Sequence, residues 1–427
     1  MKENDTLVNA KPFDISKQLV YDAYRNVKAK HGAAGIDKQS LEAFAVNLGE
    51  NLYKIWNRLS SGSYFPPPVK LVEIPKADGG LRPLGIPTVG DRIAQSVVKM
   101  TLEPRVEPHF HPSSFGYRPH RSALDAVGVA RERCWRKGWV IDLDIKGFFD
   151  NLNHELVENA VAKHTDISWV KLYIGRWLRA PMQKADGTLE MRTKGTPQGG
   201  VISPLLANLF LHYSFDKWME DTYPTQQFER YADDIIVHCE SEEEAKSLLE
   251  AIRARLLRCK LELHPLKTRI VYCKDDDRRG DYTNTSFDFL SYTFQPRRAK
   301  TKRGRLFVSF LPAMSSKAAN RVRERMRQWC IPRKWSNQNL ADIAKMVNPV
   351  LTGWLNYYGR FSWSKCAKVM QHFNFILAQW IGRKYKGLRY RVSASRHWLS
   401  RVSKQSTDLF AHWKRGIRPS GWNMGAV

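Results

Sequence analysis

The sequence predicts an α+β protein built from three successive parts: a helix-rich start, a mixed middle and a helix-rich end. Three observations carry this. Leu41, Phe44, Leu48, Leu52, Ile55 and Leu59 recur at helical spacing. From Val69 to Phe294, short alternating apolar runs are bounded by Gly, Pro and Asp, the pattern of strands and turns. From Ser315 the helical period returns over 315–329, 339–357 and 364–385, interrupted by Pro332 and by Phe361-Ser362.

Taken in order, residues 12–60 read as helices, closed by Gly62 and Pro66-Pro67-Pro68. Residues 69–75 read as a strand, 76–80 as a turn and 81–87 as the returning strand. This makes a hairpin with a basic tip, whose Lys76 and Arg82 can reach a triphosphate. Residues 91–103 and 122–137 read as helices around the loop 114–119. In the strand 139–145, alternation puts Trp139, Ile141, Leu143 and Ile145 on one face and Asp142 and Asp144 on the other. The turn 146–151 follows, with backbone N–H groups suited to phosphates. Helical character then runs over 154–180.

A Gly/Pro-rich loop, 195–204, opens an apolar helix over 205–219. Residues 228–239 read as strand, tight turn, strand, with Tyr231-Ala232-Asp233-Asp234 at the turn. Two adjacent carboxylates there repel, and desolvating one without a partner costs several kcal/mol. Taken alone, such a turn is either simply solvated or a Mg²⁺ platform, and the platform needs a further carboxylate from elsewhere. The strand carrying Asp144 supplies it. A helix over 241–259 starts with Glu242-Glu243-Glu244, as the helix dipole favours. Residues 261–268 lead into a strand at 270–273, and 287–294 reads as a single strand.

The charge is unevenly placed. The 427 residues carry a net +27, but Pro296 to Val427 alone holds 28 Lys+Arg against 3 Asp+Glu, and 8 of the 14 Trp. Cations interleaved with aromatics suit a phosphate backbone and unstacked bases. The helical patterning of the same region favours nucleic acid over an anionic lipid surface. No apolar run reaches the ~18 residues of a membrane span, and the start is polar. The six Cys form no Cys-x-x-Cys pair, which argues against a zinc module and a disulfide framework and points to a reducing cytoplasm.

The order of these motifs resembles the polymerase core of reverse transcriptases. More narrowly, it is similar to the reverse transcriptase/maturases encoded by bacterial group II introns. The stretches that carry the likeness are Ile74 to Arg92, Phe115 to Ser122, Asp144 to His154, Gly195 to Pro204, Tyr231 to Asp234, Leu263 to Thr268 and Phe289 to Phe294. Gly353-Trp354-Leu355-Asn356-Tyr357-Tyr358 resembles the maturase-type thumb signature. The resemblance covers residues 12 to 390 and implies a right-hand fold of fingers and palm (antiparallel sheet plus helices) followed by an α-helical thumb.

It also implies an RNA-directed DNA polymerase working with two Mg²⁺ ions, with Mn²⁺ as a substitute. Asp144, Ile145, Asp233 and Asp234 become the metal-holding positions. Lys76, Arg82, Ile145, Lys146, Gly147, Phe148, Phe149 and Gln198 become the contacts to the dNTP. Phe149 closes the sugar pocket against a ribose 2′-OH, and Lys267 is either the general acid for pyrophosphate or a salt-bridged structural lysine. Asp142 falls outside the motif and takes a supporting role. Phe149, together with Tyr-Ala-Asp-Asp rather than Gly-Asp-Asp, argues against RNA-templated RNA synthesis.

The expected division is 1–65, an N-terminal helical extension; 66–311, fingers and palm; 312–395, thumb and maturase domain; and 396–427, a short basic nucleic-acid-binding tail. The partners implied are group II intron RNA or another RNA template, a DNA primer or target, and dNTPs, with no membrane. After Cys366 there is no Cys, and His397 and His412 lack ligand-like spacing, so no HNH-type endonuclease is expected. Ser291 stands where the family often has Gly. The alternative reading is a domesticated reverse transcriptase, or an RNA-binding splicing factor whose polymerase is secondary.

Overall fold

The helix Val89–Val106 is buried over most of its length: Val89, Ile93, Ala94, Val97, Val98, Leu102 and Val106 have no exposed surface. Thr88 caps its start by accepting from the Asp91 N–H. Its polar residues are buried too and act as ties. Asp91 accepts from the Tyr64 hydroxyl at 2.8 Å, the Trp177 indole at 2.7 Å and the Gln95 amide at 2.9 Å. Burial pushes the Asp91 carboxyl above its ordinary range, against the pull of those three donors.

This is a computed structural model, and it describes residues 11–75, 80–301 and 303–419. The chain divides into two compact units, Met1–Ser122 with Ile141–Arg269, and Ala123–Val140 with Ile270–Val427. The strands are β1 Val69–Pro75, β2 Leu81–Ile86, β3 Trp139–Asp144, β4 Met182–Gln183, β5 Leu189–Glu190, β6 Gln227–Tyr231, β7 Asp234–Cys239, β8 Arg269–Tyr272, β9 Phe287–Phe289, β10 Tyr292–Lys300 and β11 Leu306–Met314. They form sheets of order β2-β1-β4-β5, β6-β7-β3-β8 and β11-β10-β9.

In the first unit the helices Lys17–Lys30, Leu41–Val46 and Leu48–Ser60 occupy the stretch read as helical. The basic hairpin forms as expected, with β1 and β2 antiparallel from Lys70↔Ile86 to Pro75↔Leu81. Its tip, including Lys76, lies outside the described residues. The span 154–180 is two helices, His154–Ala162 and Ser168–Arg179. The span 205–219 is not one regular helix. It runs as Ser203–Leu211, widens to a π turn over His212–Asp216, and resumes as Lys217–Thr222. Such a turn inserts a residue and re-aims the side chains beyond it.

The second unit packs the helix Ala123–Arg136 and the β9–β11 sheet with the helices Ser316–Gln328, Leu340–Tyr358 and Trp363–Lys384. Two expectations are corrected here. Residues 287–294 are not one strand, because the chain reverses at Leu290-Ser291 and Tyr292 pairs with Phe289. Both turn residues are left-handed, at φ 50° and 68°, the conformation for which Gly is favoured at position 291. Tyr357 donates to the Leu290 carbonyl at 2.8 Å, and Arg321 to Ser291 Oγ at 3.1 Å, so side chains hold the turn without Gly.

The second correction concerns residues 396–419, expected as part of a basic tail. They lie in the helix Val392–Gln405, the short helix Ala411–Lys414 and the segment after it, and Leu399, Phe410, Trp413 and Ile417 are buried in the helical core. His412 is buried against Asn374, and desolvation holds its imidazole down at about 3. The strand β11 had no expectation at all.

Candidate active site

The turn between β6 and β7 is the shortest that joins antiparallel strands: Tyr231 pairs with Asp234, leaving Ala232-Asp233 as the loop. Ala232 sits at φ +56° and is buried. The backbone of Gly116 packs directly against it, and a Cβ on Gly116 would stand 2.4 Å from the Ala232 nitrogen. The segment at 113–115 runs beside β6, with Phe115 donating to the Arg230 carbonyl at 2.8 Å and Arg230 to that of Ser113 at 2.9 Å.

Beneath the turn lies a charge pair that the sequence reading missed. The Arg230 side chain is fully buried and meets Asp216 through two bonds of 2.6 and 2.5 Å. It also donates to Asn208 Oδ1 at 3.0 Å and to the Ala232 carbonyl at 3.3 Å. Asn208 donates in turn to the Gly116 carbonyl at 2.5 Å. Arg230 stood beside the motif as a signal, but its partner is brought in by the π turn, which no spacing rule reveals.

Asp144 ends β3, next to β7 in the sheet. Its backbone is pinned by the segment 262–268: His264 donates to the Asp144 carbonyl at 2.7 Å, and Lys146 to that of Glu262 at 2.8 Å. Ile145 lies opposite Leu263 between these bonds, so its own carbonyl turns away from Leu263, toward the β7 side. The same segment delivers Lys267, whose Nζ stands 3.5 Å from Asp144 Oδ2. Asp142, on the same face, has its own cation, Arg269, at 3.1 Å. The Asp233 carboxyl is raised above its ordinary range, first by burial and then by the charge of Asp144. Its own backbone N–H, Arg82 and Arg230 pull the other way. Asp234 is the first residue of β7.

The loop 195–200 closes the other side. Gly195 and Thr196 donate to the carbonyls of Leu152 and Phe149 at 2.7 and 2.8 Å, which ties the loop to the turn after β3. In that turn Gly147 is left-handed at φ 56° and the short helix Phe148–Asn151 follows. Phe148 is buried against Phe149 and Phe210, so a nucleotide can meet it only through backbone. Phe149 keeps 8% exposure. Lys146 is exposed, 3.8 Å from Glu262. Gln198 accepts from Arg82 Nε at 2.7 Å through its side chain and from the Gly85 N–H at 2.8 Å through its carbonyl. The close approach needs Gly199, where a Cβ would stand 2.4 Å from the Gly85 oxygen.

The structure thus brings together Asp144 with Lys267, Asp144 with Asp233 electrostatically, and Arg82 with Gln198. Among the described residues no group of three His, Cys, Asp or Glu side chains is already closed around a metal position. The donor chemistry nevertheless fits a hard divalent cation. Asp144, Asp233, Asp234 and the Ile145 carbonyl offer only oxygen, and a cation would relieve the like-charge and burial penalties on Asp233.

Comparison with known proteins agrees. Residues 74–294 match the family Reverse transcriptase (RNA-dependent DNA polymerase), and residues 319–398 match Group II intron, maturase-specific domain. Protein YkfC of Escherichia coli (strain K12) is 31% identical over 319 residues, 66% of this chain and 80% of its own. The group II intron-encoded protein LtrA of Lactococcus lactis subsp. cremoris is 35% identical over 209 residues, 48% of this chain and 34% of its own, so the chain matches about a third of that relative. The mixed α/β part followed by a helical part is the arrangement of a right-hand polymerase, and a reverse transcriptase depends on divalent metal and acts on nucleic acid with an RNA template. The chain belongs to the reverse transcriptases, and within them to the group II intron reverse transcriptase/maturases, RNA-directed DNA polymerases that also assist intron splicing.

Proposed function

We propose that the chain extends a DNA primer on an RNA template at the Asp144/Asp233/Asp234 site, using dNTPs. The primer 3′-OH attacks the α-phosphate, the α–β phosphoanhydride bond breaks, and pyrophosphate leaves. Asp144, Asp233, Asp234 and the Ile145 carbonyl would hold Mg²⁺, with Mn²⁺ as a substitute. The metal supplies charge neutralisation at the entering and leaving oxygens. Arg82, oriented by Gln198, would grip the triphosphate together with Lys76. The backbone of Lys146, Gly147 and Phe148 would line its path. Phe149 would stand where a ribose 2′-OH has no room. Lys267, 3.5 Å from Asp144, would give a proton to the leaving pyrophosphate.

The observation that carries this reading is that Asp144 ends β3 while Asp233 and Asp234 stand in the turn and first position of the adjacent β7, with Lys267 3.5 Å from Asp144. We propose the roles fingers and palm for 66–311 and thumb for 312–395, with 1–65 an extension and the basic residues after 396 contacting nucleic acid. Binding of intron RNA and a DNA target would serve splicing and retromobility in the cytoplasm. No helix among the described residues is long and apolar enough to cross a membrane.

Primer extension on RNA, with dNTPs or rNTPs and with or without Mg²⁺, tests the proposal. Asp233→Asn should abolish cDNA synthesis while RNA binding survives, and retained synthesis would sink the metal assignment. Phe149→Ala should admit rNTPs, and unchanged sugar selectivity would remove its role as a gate.

A further inference from the structure

On the second unit a groove of about 1090 Å³ lies between the end of Ser316–Gln328, the helix Trp363–Lys384 and the start of Val392–Gln405. It contains none of the residues assigned above to catalysis. Its floor is apolar and buried, with Met326, Ile376 and Ala378 at 4% exposure or less. Its rim is cationic. Arg327, Arg333, Arg383, Lys386, Arg389 and Arg391 are exposed, and no acidic residue lines the groove. None of the six is in an ion pair among the described residues. Gathering six like charges with no counter-charge works against folding, so the arrangement favours an anion in the groove.

A second, independent feature sits at the edge. Tyr390 is 88% exposed and left-handed at φ 64°. An L residue rarely adopts that conformation, and here it holds a ring out in solvent. The turn is fixed by bonds from Arg389 N–H to the Lys386 carbonyl and from Arg391 N–H to that of Leu388. The Arg389 guanidinium stands 5.2 Å from the ring. The helix Val392–Gln405 begins beside it with no acidic residue in its first turn and no side-chain cap, which leaves a positive end at the groove.

We propose that this groove binds an unpaired loop of RNA, its phosphates along the cationic rim and one extruded base stacked on Tyr390. A duplex hides its base faces, whereas a loop presents them to an aromatic ring. RNA is favoured because all the lining residues fall inside the stretch that matches the maturase-specific domain of group II introns. The proposal rests on the reading of the chain as an RNA-handling polymerase.

The test is fluorescence anisotropy of the full chain with a labelled oligouridylate across a salt series. It is carried out in the Asp233→Asn background, so that binding is read without catalysis. Primer extension by the unaltered chain separately tests the polymerase reading. Tyr390→Ala should weaken binding about tenfold, the loss of one base–ring stack. Lys386→Gln with Arg389→Gln should reduce the slope of log K against log salt by about 1.4, two phosphate contacts on a single strand. Tyr390→Phe should restore the affinity lost in Tyr390→Ala, because it restores the ring. Unchanged affinity in Tyr390→Ala, an unchanged slope in the double variant, or equal competition by an oligodeoxythymidylate or by duplex RNA would each overturn the proposal. Tyr390 and both cations are exposed, so melting curves that match the parent distinguish lost binding from lost folding.

Discussion

Two hairpin turns of this molecule share a design and differ in what holds them. Ala232-Asp233 joins β6 to β7, and Leu290-Ser291 joins β9 to β10. Both are two-residue loops with non-glycine residues in the left-handed region. The first is fixed from below by a buried charge network, Arg230 with Asp216 and Asn208. The second is held by rings and single hydrogen bonds, with no buried ion pair against it among the described residues. Tyr292 lies 5.5 Å from Tyr357, 6.1 Å from Tyr358 and 5.5 Å from Phe361, and hydrogen bonds from Tyr357 and Ser315 reach the turn carbonyls. Charge-assisted bonds are directional, so they set where a carboxylate points. Ring packing is broad and weakly directional, so it supports a surface. The turn that carries two aspartates rests on the former, and the one that carries a leucine and a serine rests largely on the latter.

That contrast can be broken at three places, in falling order of effect. Asp216→Asn leaves the Arg230 guanidinium buried without its counter-charge and should cost about 3–5 kcal/mol in chemical denaturation. Replacing both partners, Asp216→Leu with Arg230→Met, should recover most of that stability yet leave primer extension low. Full recovery of activity would show that the pair does not aim the turn. Tyr357→Phe removes one hydrogen bond to Leu290 and should cost about 1 kcal/mol. A much larger loss would mean that the second turn also depends on directional bonds. Ser291→Gly should stabilise by less than about 1 kcal/mol. The relief of a left-handed residue is offset by the freedom Gly adds to the unfolded chain and by the lost bond from Arg321. A clear destabilisation would show that Ser291 is held by more than its backbone.

The carboxylates were legible because strand alternation places Asp144 on one face and a tight turn isolates Asp233-Asp234, both local patterns. The network under them was not, because Asp216 lies in an apolar helical run and reaches Arg230 only through a π turn that has no sequence signature. The reversal at 290–291 was hidden for a related reason: Leu-Ser carries no Gly, Asn or Pro to mark a turn. The segment 396–427 read as a tail because its cations dominate its composition. Leu399, Phe410, Trp413 and Ile417 nonetheless supply a buried face, with His412 kept neutral by burial and its Nδ1 without a hydrogen-bond partner among the described residues.

The second unit takes the helix Ala123–Arg136 from the middle of the first unit's sequence. On that helix Ala126, Val127, Ala130 and Cys134 have no exposed surface, and it packs against β11, which ends at Met314. During synthesis at roughly 5–20 residues per second, that apolar stripe waits on the order of tens of seconds before the strand that covers it leaves the ribosome. No single cut in the chain separates the two units. A fragment ending near residue 270 would carry the helix without its cover, and its sticky face would decide whether the fragment stays in solution.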